Sequence, residues 1–135
     1  MEDFTPEQIT AITTRYRSMA RALNEFQVVR WPEFSHEQQL DLNAYQNSLL
    51  NRAQDLQMAA VRPAFKSTVD TVSEVEQAMQ DAEASLGNIQ NLTAALNVGA
   101  ITVALASYIA RANLRGIQTA LRELGELVED DGSKV

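Results

Sequence analysis

The residue types that carry catalytic or metal chemistry are scarce in this chain of 135 residues. It contains no cysteine and one histidine, which excludes thiol nucleophiles, disulfides, thiolate metal sites and poly-histidine metal sites. His36 follows Glu33 by three residues, which is the Glu-x-x-His spacing of di-iron carboxylate bundles. That centre needs two copies of the motif on helical faces, whereas Pro32 and Ser35 place this single copy in a loop. We therefore predict no metal site.

Other catalytic arrangements have equally little support. Every serine has only one histidine as a potential base, and the five glycines are scattered singly instead of forming a phosphate-binding loop. Asp70 and Glu74 are four residues apart, on what is predicted to be an outer helical face. General acid–base catalysis instead needs a carboxyl group desolvated in a cleft. We predict that the protein is not an enzyme and binds no cofactor.

Acidic residues are concentrated in one segment of the chain. The 18 acidic and 11 basic residues give a net charge of −7, and residues 67–91 contain five acids and no base. Such a segment repels phosphate, so we predict no nucleic-acid binding and favour a basic partner protein. The candidate partner-binding acids are Asp70, Glu74 and Asp81. The alternative is a solvated acidic face that serves solubility alone.

Two further features are candidates for binding. Arg15, Arg17 and Arg21 form a basic cluster on the first predicted helix, and they could dock on the acidic segment of the same molecule or of a partner. Solvation alone is the alternative for these arginines. Trp31, the sole tryptophan, lies at the bend between the first two predicted helices. It is a candidate partner-binding anchor, or else a cap on the end of the core.

Residues 84–110 contain no ionisable side chain except the phenol of Tyr108. The segment is long enough to span a bilayer, and Arg111 and Arg115 follow it directly. The candidate membrane residues are Leu92, Val98, Gly99, Ile101, Val103, Leu105 and Ile109. The alternative, which we favour, is a helix buried among others in a bundle. Its many small residues suit a crowded central position.

The first two helices are marked by capping signals. Thr5-x-x-Gln8 with Pro6, and Ser35-x-x-Gln38, are capping boxes. Apolar residues then recur at steps of three and four. The pattern predicts helices over 5–29 and 35–60, with a break or a strong kink at Pro63.

Heptad spacing continues beyond Pro63. The predicted core positions are first Phe65, Val72, Val75, Met79, Ala82, Leu86 and Ile89, and then Thr93, Leu96, Ala100, Val103, Ser107 and Ala110. This spacing predicts helices over 64–86 and 88–129, the second either broken near 97–99 or long enough to make the protein elongated. No window alternates with period two, so we predict an all-α fold. It would be a single domain over 1–135, an antiparallel bundle of about four helices. The apolar seams of these helices could form a core within one chain or a core shared between chains, and we expect a homo-oligomer.

These observations favour a role in binding over catalysis. We expect a helical protein–protein interaction module, such as a chaperone, an inhibitor or immunity protein, an adaptor or an assembly subunit. A membrane-active protein that inserts residues 84–110, as a pore-forming or translocation component, is the alternative. A self-assembling structural subunit is a third reading. No signal peptide is visible, so we expect a cytoplasmic protein, with membrane association as the alternative.

Overall fold

A computed structural model describes residues 1–89 and 91–128. They form five α-helices, two short strands and one 3₁₀ turn. The helices are α1 Pro6–Val29, α2 His36–Gln57, α3 Thr68–Leu86, α4 Leu92–Ala110 and α5 Leu114–Val128. The strands β1 Glu2–Asp3 and β2 Ala64–Phe65 pair antiparallel, and the 3₁₀ turn is Trp31–Glu33. The all-α prediction is confirmed.

Both predicted capping boxes are confirmed. The Thr5 hydroxyl accepts a hydrogen bond from the backbone N–H of Gln8 at 3.1 Å, and the Gln8 side chain accepts one from the backbone N–H of Thr5 at 2.9 Å. Ser35 and Gln38 make the same pair of bonds at 3.1 and 2.8 Å. Each cap satisfies two backbone groups that a helix start leaves unpaired, so these two starts are fixed by local sequence.

Two predicted boundaries around Pro63 were wrong by several residues. The second helix ends at Gln57 instead of continuing to residue 60, and Ala59 takes a left-handed conformation with φ 57°. The third helix begins at Thr68 instead of residue 64, with Ser67 as its N-cap. Residues 64 and 65 pair with the N-terminal strand, a long-range contact that helical spacing cannot reveal.

The last predicted helix, 88–129, is two helices in residues 91–128, and residue 129 lies outside the described range. The break is not at 97–99, which lies inside α4, but at Arg111 to Asn113. Ala112 has φ 52°, and the Asn113 side chain accepts a hydrogen bond from the backbone N–H of Gly116 at 3.0 Å. Because the chain turns back here, no 40-residue helix forms and the elongated alternative does not apply.

The helices form a closed ring in the order α1, α2, α4, α5, α3, in which each packs chiefly against its two neighbours. Pairing of β1 with β2 places the starts of α1 and α3 at one end of the bundle. At the other end, the Arg30 guanidinium donates to the backbone carbonyl of Ile89 at 3.0 Å, which joins the ends of those two helices. α1 and α3 therefore run in the same direction, and α2, which connects them, runs the opposite way.

The core lies inside this ring. The predicted heptad positions after Pro63 are buried: Val72, Val75, Met79, Ala82 and Leu86 in α3, together with Phe65 of β2 and Ile89 after the helix. In α4 the predicted phase was wrong. The core-facing residues are Ala95, Val98, Thr102, Leu105 and Ile109, whereas the predicted seam of Thr93, Leu96, Ala100, Val103 and Ser107 is exposed or half-buried. Both sets step by three and four, so spacing alone cannot choose between them.

Candidate protein-binding groove

The acidic segment borders a broad groove on the surface of the bundle. This groove lies between α3 and α5 and has a volume of about 890 Å³. Glu74 and Asp81, two of the three predicted partner-binding acids, line its α3 wall. The third, Asp70, is exposed in the first turn of α3 and does not line the groove. Two of the three predicted acids therefore border this groove, and a role for any of the three in binding a partner stays a prediction.

The groove combines apolar and charged side chains. Ala78, Leu121 and Val128 are half-buried along it and pack against the core. Its acidic lining residues, Glu74, Asp81 and Glu126, outnumber its single cation, Arg122. An apolar surface bordered by net negative charge is suited to a ligand that carries apolar and cationic groups together.

A glycine leaves room on the α5 wall. Gly125 lines the groove, and a methyl group added there would have no heavy atom within 4 Å. Along α3 the groove runs from Ser73 to Asp81, about 12 Å, or roughly two turns of a docked helix. The space therefore admits a short stretch of peptide.

Another acid of the segment is already used within the chain. Glu83 forms an ion pair with Arg15 at 3.0 Å and also accepts a hydrogen bond from the Ser18 hydroxyl. The side chains of Arg15 and Glu83 are only 21% and 15% exposed, so the pair ties α1 to α3 in a partly buried setting. The expected docking of the basic cluster thus occurs within the molecule for Arg15, whereas Arg17 donates to the Gln57 side chain.

Trp31 lies in the 3₁₀ turn at one end of the bundle and does not line the groove. It is 54% exposed, and its neighbours Val28 and Val29 are 61% and 80% exposed. Its backbone carbonyl accepts a hydrogen bond from the Gln39 side chain at 3.0 Å. The backbone of this turn is therefore held in place while the indole remains accessible.

The candidate membrane segment forms α4 and packs mainly against α2 and α5. Val98, Gly99, Leu105 and Ile109 are buried, whereas Leu92, Ile101 and Val103 are half-buried. By length and composition α4 is the one helix in the described ranges that could cross a bilayer, and 44% of its apolar window is buried. A fully central helix would be more buried, so α4 also contributes uncharged surface.

Sequence reasoning missed a cluster of amide side chains between α1 and α2. The Gln27 side-chain nitrogen donates to Gln39 Oε1 at 2.7 Å and to Asn43 Oδ1 at 3.1 Å, and Gln27 Oε1 accepts from Gln46 Nε2 at 2.7 Å. Gln27 is only 2% exposed. The spacing of 39, 43 and 46 on one helical face was the available signal. Whether these three side chains form a cluster depends on Gln27 of the facing helix α1, which their spacing does not reveal.

The titratable groups with shifted pKa values do not form a catalytic set. Hydrogen bonding to Arg30 lowers the pKa of the Glu33 carboxyl, which keeps this group ionised. Burial raises the pKa of Tyr16, whose hydroxyl has no hydrogen-bond partner within the described chain. His36 is exposed as the first residue of α2, and no three acidic or histidine side chains in residues 1–89 and 91–128 are grouped to hold a metal ion.

The groove is thus the feature that unites sequence pattern and geometry. No family model matches this chain, and neither a curated protein nor a solved structure resembles it closely enough to extend the argument.

Proposed function

We propose that this protein is a non-enzymatic helical binding protein that holds a cationic segment of a partner protein in the groove between α3 and α5. One observation carries the proposal: two of the five acids in the segment without a base, Glu74 and Asp81, line a groove of about 890 Å³ that also has an apolar lining. A chaperone, an inhibitor, an adaptor and an assembly subunit would all use such a surface.

The two components of the groove have different roles in binding. The carboxylates of Glu74, Asp81 and Glu126 raise the association rate of a positively charged partner through long-range attraction. Ala78, Leu121 and Val128 then offer apolar contacts that slow dissociation. The partner segment that fits is an amphipathic helix with lysine or arginine beside an apolar stripe.

The test measures binding of a synthetic amphipathic helix of lysine and leucine to the full chain by calorimetry. A glutamate–leucine helix of the same length is the matched peptide. We expect the lysine peptide alone to bind, with an affinity that falls between about 50 and 500 mM salt. Glu74→Lys/Asp81→Lys should weaken binding about tenfold or more.

A control variant with the same change in net charge distinguishes an effect of the groove on binding from an effect of the overall charge. Asp41 on α2 and Asp70 on α3 are exposed and do not line the groove. Asp41→Lys/Asp70→Lys therefore changes the net charge equally and should leave most of the affinity. Equal loss in both double variants would reduce the effect to overall charge, and unchanged affinity in Glu74→Lys/Asp81→Lys would refute the groove.

A second candidate function is membrane insertion of α4. The observation that favours it is that less than half of the apolar window of α4 is buried. Insertion would require the ring to open, with Arg111 and Arg115 meeting anionic headgroups. Flotation with vesicles containing phosphatidylglycerol tests it. Protein that remains in the aqueous fraction at neutral and acidic pH rejects this function.

A further inference from the structure

The outward side of α4 carries a second heptad seam that is only partly covered within the chain: its Leu96 and Val103 are half-buried against the edge of the core. The inner seam, centred on Val98 and Leu105, is buried. The outer seam, Thr93, Leu96, Ala100, Val103 and Ser107, follows the same three- and four-residue steps at the surface. Steps of this kind are typical of a helix packed against another helix. α4 therefore has one face that the ring buries and a second face with helix-packing spacing that the ring leaves half-exposed.

Charges of opposite sign flank the outer seam. Arg111 follows Ser107 by four residues, so it continues the same face beyond the end of α4. Glu123 of α5 borders a groove with Asn97, Ala100 and Ile101, level with the middle of the seam. The ten residues from Ile101 to Arg111 correspond to about 15 Å along a helix axis.

Both flanking charges are accessible. Arg111 and Glu123 are exposed, and neither has an ion pair in residues 1–89 and 91–128. The Arg111 guanidinium lies 5.4 Å from the centroid of the Tyr108 ring. It is therefore directed back along α4, where it could reach a carboxylate on an opposing helix.

We propose that this face binds a second copy of the chain, with the two α4 helices packed antiparallel across a two-fold axis near Ala104. In this arrangement Arg111 of each copy lies close to Glu123 of the other, and an uncharged surface lies between the two contacts. A parallel arrangement would instead place like charges together. Self-complementarity of this kind is what an isologous dimer requires.

The size of the surface sets the expected strength. With the axis near Ala104, about 13 residues of each α4 lie opposite each other over roughly 20 Å, and a face about 10 Å wide covers about 200 Å². A standard interface buries about 800 Å² on each partner, so α2 and α5 must add contacts and the dimer is a weak one. We expect dissociation in the micromolar range and a marked dependence on salt.

The test is sedimentation equilibrium of the full chain over a range of concentrations. Wild type should form a dimer that weakens as salt is raised. Arg111→Glu and Glu123→Lys should each weaken it about tenfold, because each reversal places like charges at both symmetric contacts. An equimolar mixture of the two variants should restore association as a heterodimer, because opposite charges then meet again.

Two further variants act as checks. Ala104→Glu places two carboxylates near the two-fold axis and should abolish the dimer. Asn24→Glu on the exposed surface of α1, which packs chiefly against α2 and α3, should leave it intact. Circular dichroism confirms that each variant is folded. A monomer at every concentration overturns the proposal, as does a mixture of variants that fails to associate. Vesicle binding without self-association would also overturn it.

Glu123 lies on the α4 side of α5 and does not line the groove on the α3 side, so the dimer variants leave the lining of that groove unchanged, although Glu126 borders both surfaces. Arg122→Glu, which changes a charge in that groove, should affect peptide binding and leave the dimer unchanged. Failure of one proposal therefore does not imply failure of the other.

Discussion

The α1–α2 and α4–α5 hairpins are held together by different physical means. Between α1 and α2, Gln27 hydrogen-bonds to three amide side chains of the facing helix. Between α4 and α5, the ring of Tyr108 packs directly over Gly116. Directional hydrogen bonds specify the register of the first hairpin, whereas close steric fit specifies that of the second.

This difference in packing also explains why α4 and α2 present different surfaces. Most of α4 is apolar, so spacing gives it two equivalent faces and leaves one of them at the surface. α2 is more polar, with amides along the side that meets α1. A helix with polar residues on one packing face can pack favourably in fewer ways, because those residues must find hydrogen-bond partners. This specificity costs desolvation free energy.

The largest expected effect is at the amide cluster. Gln27→Ala removes the central partner of three amides in a region where Gln27 and Gln39 are buried. We expect a loss of about 3 kcal/mol in the free energy of unfolding, from unsatisfied polar groups and a cavity. Urea denaturation measures it, and Asn47→Ala on exposed α2 surface is the control. A loss below about 0.5 kcal/mol would show that the amides do not hold the hairpin.

The next effect is at the glycine contact. A methyl group at Gly116 would lie 2.5 Å from Tyr108 Cδ1, so Gly116→Ala should destabilise by about 1–2 kcal/mol even after its gain in helix propensity. Gly125→Ala in the same helix has open space and should stabilise by about 1 kcal/mol. Thermal denaturation of the two variants compares the cost of the steric overlap with Tyr108 directly with the gain in helix propensity. Equal stabilisation would mean that the ring moves aside freely.

The smallest expected change in the free energy of unfolding is at Tyr16, and it is neutral or stabilising instead of destabilising. The hydroxyl of Tyr16 is buried with no partner in the described residues, so Tyr16→Phe should be neutral or stabilising by up to about 1 kcal/mol at neutral pH. Burial raises the pKa of Tyr16 in the folded state, so above about pH 10 the unfolded chain loses this proton first and stability falls.

The pH dependence separates this residue from the amide cluster. Tyr16→Phe should flatten the alkaline loss of stability, and Gln27→Ala should leave its slope unchanged. Unfolding by urea at neutral pH and at about pH 10.5 measures both. A destabilised Tyr16→Phe variant would indicate that the hydroxyl is hydrogen-bonded after all.

Sequence reasoning succeeded where the signal is local. The caps at Thr5 and Ser35 were predicted because each is completed within four residues. The buried seam of α3 was predicted because its opposite face is acidic and leaves one choice. In α4 both faces are uncharged, so the phase was wrong. The acidic wall was predicted as a face, but its groove depends on α5 and could not be.

Composition and spacing by themselves determined the absence of thiol chemistry, the helical class and the starts of α1 and α2. Only the tertiary structure decided that Ala64 and Phe65 pair with the N-terminal strand, that the chain turns at Ala112 and that α3 and α5 enclose a groove. The physical reason is the separation along the chain of the residues that interact. Caps and amphipathic periodicity involve residues a few positions apart, whereas grooves and helix phase depend on which distant surfaces meet.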